Sequence, residues 1–255
     1  MSWAQAALTA LTASPVDPNV QEVAMLLFKT QAQINTARDN IRQVIQYLPT
    51  ENGTPAQRAG MRQLGSVGVY CNADQWALQN KGPDYYHKHS GMFIDADMYG
   101  DVRKCTDQTW SYPWPWASTY STGDEDRAQV QGDVTMLCAQ YVKRVEKHPM
   151  LLEDEINTLK DPARANAWYK TIAKVGQAKK LIDFTGFFDT PIDKLGSYLD
   201  HTLLHEFFHG FQGGSVDDIG RLYYAYGWQN AVSRVPDNDR WKNTDNLAYF
   251  VWQLG

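Results

Sequence analysis

Apolar residues recur at helical spacing through the first fifty positions. Val23, Leu26, Leu27, Ile34, Ala37, Ile41, Val44, Ile45 and Leu48 form one stripe with polar residues between them. The pattern predicts a long amphipathic helix over 20–48. Thr54-Pro55 reads as the cap and first turn of a second helix. The period then changes. β-Branched and aromatic residues crowd 67–71, and 92–98 and 134–138 are further short runs of strand character. Helical patterning returns over 162–181, 192–211 and 246–254, with Gly210, Gly213 and Gly214 breaking the middle helix. Several helices around a few short strands predict an α+β fold, mostly helical with a small mixed sheet. No repeat or linker divides the chain, so 1–255 reads as one domain: a helical N-terminal extension over about 1–60 and a core over about 65–255.

Between two of the strand candidates lies Trp110-Ser111-Tyr112-Pro113-Trp114-Pro115-Trp116. Its two prolines exclude a central strand or helix interior. It reads as an aromatic loop, either folded back over the core or open to a sugar or peptide.

Charge narrows the partners. The formal net charge is −5, and no basic cluster exceeds Lys143-Arg144, so nucleic acid is not an expected partner. No apolar run approaches the roughly 18–20 residues that cross a bilayer, so no membrane partner is expected either. Met1-Ser2-Trp3-Ala4-Gln5 has neither the basic start nor the apolar core of a signal peptide. Cys71, Cys105 and Cys138 form no CxxC pair. In a secreted chain one disulfide and one free thiol are expected, and Cys71–Cys105 is the pairing chosen, tying down an edge of the strand region. Asn52-Gly53-Thr54 is a glycosylation sequon, which adds a little to the secreted reading.

The chemistry concentrates at His205-Glu206-Phe207-Phe208-His209. On a helix, positions i and i+4 share a face, so both imidazoles reach one metal ion and Glu206 stands beside it as a base. Zinc in such a site brings a water near neutrality in pKa, and Glu206 takes its proton. Leu195, Leu199, Leu203 and Leu204 lead into the motif, as a half-buried helix requires. The bland alternative, a buried helix with incidental histidines, leaves Glu206 buried without a partner at high cost. His201 lies one turn earlier. Three ligands in line along a helix span about 12 Å, so His201 is read as a packing or supporting residue.

A catalytic zinc needs a third protein ligand. No His follows His209 and no Glu follows Glu206, so the downstream choices are Asp217, Asp218, Asp237, Asp239 and Asp245. Gly213-Gly214-Ser215-Val216-Asp217-Asp218-Ile219-Gly220 returns the chain soon after the helix ends. Here the sequence resembles the aspzincins, the deuterolysin and peptidyl-lysine metallopeptidase families, whose HExxH is followed by G-T-x-D-x-x-Y-G. The resemblance implies a zincin-like peptidase fold with an aspartate as third ligand. The spacing of the lysine-specific members gives that role to Asp218. Gly214-Ser215-Val216-Asp217 follows G-T-x-D more literally and keeps Asp217 open. The family's Tyr-Gly comes later here, at Tyr226-Gly227, after an insertion over 221–225. The resemblance implies that Tyr226 hydrogen-bonds the tetrahedral intermediate, with Tyr223 and Tyr224 as competitors.

Asn243-Thr244-Asp245-Asn246-Leu247-Ala248-Tyr249-Phe250 is similar to the N-A-D-x-Y-x-Y-F stretch that closes the family's domain. Two acidic residues there face the residue after the cleaved bond in lysine-specific relatives. Asp245 matches the first, and Ala248 stands at the second, so a weakened lysine bias is implied, unless Asp245 caps its own helix. Together the residues and the resemblance lead to the expectation of a secreted zinc metalloendopeptidase acting on protein or peptide. His205, His209 and Asp218 would be its ligands, Glu206 and Tyr226 its catalytic groups, and Asp245 a substrate contact. The alternative is a non-catalytic secreted zinc-binding protein on the same scaffold.

Overall fold

Residues 2–47, 66–78, 84–88, 90–107, 117–120, 132–147, 199–210, 216–219 and 226–254 are described in a computed structural model. The stripe predicted as one helix over 20–48 is two. α1 spans Ser2–Thr12, α2 Pro18–Phe28 and α3 Gln31–Tyr47. Asp17 starts α2 by accepting the Asn19 N–H at 2.7 Å, with Pro18 opening the first turn. Lys29 ends it in the left-handed region at φ 64°, its N–H on the Met25 carbonyl. Thr30 then caps α3 through the Gln33 N–H. Local capping divides a stripe whose apolar spacing runs through the break.

Two small sheets follow. β1 (Ser66–Tyr70) pairs in parallel with β6 (Gly132–Leu137), and β5 (Ala117–Tyr120) joins β6 antiparallel, so that among the described residues β1 and β5 flank β6 in one sheet. β2 (Trp76–Leu78), β3 (Tyr85–His87) and β4 (Phe93–Ile94) form an antiparallel sheet. The strand expected over 92–98 is therefore only two residues long. Asp95 accepts the Met98 N–H at 2.7 Å and starts α4 (Ala96–Asp107), so a helix cap cuts the strand short. α5 covers Ala139–Lys147.

Cys105 on α4 is bonded to Cys138 at the end of β6, and Cys71 is an exposed free thiol. This corrects the expected Cys71–Cys105 pairing. α4 packs on β6, which brings those two cysteines together.

α6 (Leu199–His209) carries the HExxH residues, α7 spans Trp228–Ser233, a 3-10 turn spans Asp237–Lys242, and α8 spans Thr244–Leu254. Ala7, Leu27, Phe28, Ile41, Val44, Leu204, Phe208, Leu247 and Phe250 share one buried cluster. The first three helices thus pack against α6 and α8. The N-terminal helices share one core with α6 and α8. A second cluster, Trp76, Met92, Ile94, Val102, Val134 and Met136, lies on one side of β6. Among the described residues no helix is long and apolar enough to cross a membrane. The helices predicted from Thr54 and over 162–181, the 110–116 loop, the Asn52 sequon and residues 192–198 lie outside the described residues.

Candidate metal centre

Leu204 and Phe208 turn one face of α6 into the helical core, which leaves His205, Glu206 and His209 on the other. The His205 and His209 Nε2 atoms are 3.1 Å apart. Behind each ring a group fixes its orientation. His205 Nδ1 lies 2.6 Å from Asp245 Oδ1, and His209 Nδ1 lies 2.9 Å from the Val216 carbonyl. A carbonyl or carboxylate only accepts, so each Nδ1 carries the hydrogen, and each ring, once its other proton is displaced, presents a lone pair at Nε2. Two lone pairs 3.1 Å apart repel unless a proton or cation sits between them.

The third group is Asp218. Its Oδ1 is 3.3 Å from His205 Nε2 and its Oδ2 is 3.5 Å from His209 Nε2. Val216 donates to the Phe208 carbonyl at 3.1 Å, so the chain folds back onto the helix end. Asp217 then forms a parallel bridge with Asn243: its N–H reaches the Lys242 carbonyl, and its carbonyl accepts the Thr244 N–H, each at 3.1 Å. The Ile219 N–H is held by Asn243 Oδ1 at 2.9 Å. Adjacent side chains in extended backbone point to opposite sides, so Asp217 is exposed while Asp218 turns inward. Thr244 Oγ1 donates to Asp218 Oδ1, and Tyr226 Oη donates to Asp218 Oδ2.

These contacts polarise the set. Burial alone pushes His205 down, but the Asp218 and Asp245 carboxylates outweigh it and hold the imidazole well above its ordinary value. Burial is likewise overcome at His209, chiefly by its hydrogen bond to Asp218. Burial pushes Asp218 up, yet the His205 and His209 charges leave it far below the usual carboxylate range. Burial and the Asp218 charge push the Tyr226 hydroxyl up.

The donor set fits a tetrahedral metal. Ligand bonds of about 2.0–2.1 Å set tetrahedral ligand atoms about 3.3–3.4 Å apart. The Nε2 pair at 3.1 Å lies near that edge, and each Nε2 meets a different Asp218 oxygen, at 3.3 and 3.5 Å, so that one ligand atom from each residue lies within 4.8 Å of the others. Two imidazoles and a carboxylate suit zinc and neighbouring first-row ions.

His201 stays outside the set. It is buried with its ring 4.5 Å from that of Tyr249. Tyr226 is 46% exposed as a residue and its ring lies 5.7 Å from the His205 ring, while its hydroxyl turns in to Asp218. Tyr223 and Tyr224 lie outside the described residues. Asp245, expected either to meet a substrate cation or to cap its own helix, lies behind His205. It is 4% exposed, and its second oxygen accepts the Gly227 N–H at 2.6 Å, so each oxygen has a partner within the fold. Among the described residues its hydrogen-bond partners are the Gly227 backbone and His205.

Three participants carried no signal of their own in the sequence. Thr244 holds Asp218. Thr119 on β5 donates to Glu206 Oε2 at 2.8 Å, and Thr135 on β6 lies 2.8 Å behind Thr119. The Asn243-Thr244-Asp245 stretch was visible only as a block similar to N-A-D. No protein-family model, curated protein or solved structure matches the chain.

Proposed function

We propose that this chain is a secreted zinc metalloendopeptidase of divergent aspzincin type on a zincin-like fold. One observation carries the reading: one ligand atom from each of His205, His209 and Asp218 lies within 4.8 Å of the others, and Glu206 stands between the two histidines in sequence on the same helix. Zinc held by these three residues would supply an acidified water and a polarised peptide carbonyl. Glu206 takes the proton of the attacking water and later delivers it to the leaving amine. Tyr226 is the donor assigned to the developing oxyanion, a role for which its hydroxyl must leave Asp218.

β5 supports a peptide substrate. It is an edge strand among the described residues, and its Thr119 side chain reaches Glu206. An extended peptide adding to that edge by main-chain hydrogen bonds runs past the base. The Cys105–Cys138 disulfide supports an oxidising compartment.

The deciding experiment compares wild type with Glu206→Gln, measuring metal by elemental analysis and turnover on casein and a peptide library. One zinc per chain in both, with turnover lost by about 10²-fold or more in the variant, is the expected result. Equal zinc and no peptide cleavage by wild type would favour a non-catalytic zinc-binding protein.

A further inference from the structure

Glu206 is 5% exposed, and a buried carboxylate must be hydrogen-bonded to stay charged. Its Oε2 accepts the Thr119 hydroxyl at 2.8 Å. Since an ionised carboxylate only accepts, Thr119 spends its one hydrogen there. The Thr119 oxygen is then left as the acceptor of its other contact, Thr135 Oγ1 at 2.8 Å. The chain of donation therefore runs one way, from Thr135 through Thr119 to Glu206. Thr119 and Thr135 are register partners on β5 and β6, so both hydroxyls leave the same face of the sheet. Thr135 is fully buried in the central strand and gives the relay a fixed root.

We propose that Thr119, backed by Thr135, is a positioning residue that fixes the Glu206 carboxylate with Oε2 as acceptor and leaves Oε1 to take and return the proton. The inference rests on the peptidase reading. It also assigns the two oxygens different tasks. A proton arriving on Oε2 would weaken that oxygen as the acceptor of the Thr119 hydroxyl, whereas one arriving on Oε1 leaves both hydroxyls undisturbed. Because Thr119 sits on the edge strand, the base is referenced to the same strand along which a peptide would pair.

The test uses Thr119→Val, Thr119→Ser and Thr135→Val in the zinc-loaded protein. Val keeps the shape and removes the hydroxyl. Thr119→Val is expected to lower kcat by about 10- to 100-fold, the worth of a hydrogen bond to a charged group. KM and zinc affinity in chelator competition should stay within about twofold, since Thr119 is not one of the ligands and its hydroxyl is spent on Glu206. Thr119→Ser should restore most of kcat, and Thr135→Val should lose less than Thr119→Val. A second readout needs no turnover. In urea unfolding of the metal-free protein, Thr119→Val and Glu206→Gln should give midpoint shifts that are less than additive in the double variant.

Equal losses in Thr119→Ser and Thr119→Val, a fall in zinc affinity that parallels kcat, or additive midpoints would overturn the proposal. If wild type and Glu206→Gln turn over peptides alike, the peptidase reading itself fails and the catalytic role of Thr119 goes with it. Non-additive midpoints would then mark a structural tie alone.

Discussion

Asp245 holds His205 from behind. Oδ1 lies 2.6 Å from Nδ1, and the other oxygen is tied to the Gly227 N–H. The carboxylate fixes the ring's tautomer and aims Nε2 at Asp218 and His209. Asp245→Asn keeps the shape but loses the charge. It should weaken zinc by about 10- to 100-fold in chelator competition, with the helical content retained. Cleavage-site mapping of wild type should show no lysine preference owed to this residue, since its carboxylate is buried behind His205. Unchanged zinc affinity together with an altered lysine bias would return Asp245 to the substrate pocket.

Asp217 and Asp218 are neighbours with opposite environments. Asp217 is exposed and tied through its backbone, whereas the Asp218 side chain meets His205, His209, Thr244 and Tyr226. Asp218→Ala should abolish stoichiometric zinc in elemental analysis, while Asp217→Ala should leave at least most of it. Tyr226→Phe separates two tasks of the tyrosine. A fall in kcat with zinc retained fits an oxyanion donor, and zinc loss fits a residue that only steadies Asp218. Equal zinc loss at Asp217 and Asp218 would overturn the ligand assignment.

The reactive helix was legible because its chemistry is local. Five consecutive positions fix which side chains share a face, and Leu204 and Phe208 mark the opposite face as core. Asp218 was legible only in part. Counting residues after His209 reduced the choice to aspartates, but the inward turn of Asp218 depends on the bridge between Asp217 and Asn243, a contact across the fold. Thr119 and Thr244 left no trace, because a threonine's role is set by what lies across from it. The α2–α3 break was hidden for another reason. Lys29 and Thr30 occupy positions where an unbroken amphipathic helix would also be polar, so periodicity continues through a cap.

The disulfide follows the same logic. Three cysteines allow three pairings, and spacing along the chain does not rank them. Packing of α4 on β6 decides for Cys105 and Cys138 and leaves Cys71 on the surface. Thiol titration of the native protein should find one reactive thiol, lost in Cys71→Ser. After denaturation without reductant the count should remain one. Three free thiols would count against both the bond and the oxidising compartment.

Chelation should cost more stability as pH rises. Without metal, the elevated His205 and His209 keep protons that Asp218 and Asp245 reward. A group raised on folding contributes stability that is complete below its unfolded value, 6.5 for histidine, and is lost as pH climbs through the folded value. Asp218 is lowered on folding, so its contribution is present above 3.8 and fades only in acid. The metal-free protein is therefore best served by this site between 3.8 and 6.5, and less so as pH rises beyond. Metal binding has the reverse dependence. Zinc must displace the imidazole protons, so its apparent affinity should rise by up to about a hundredfold per pH unit while both rings are protonated. The gap in Tm between zinc-loaded and chelator-treated protein should thus widen from pH 5.5 to pH 8. Thermal melts across that range check it directly. A gap that stays constant or narrows would mean that His205 and His209 do not exchange protons for metal, and the assigned ligand set would fall with it.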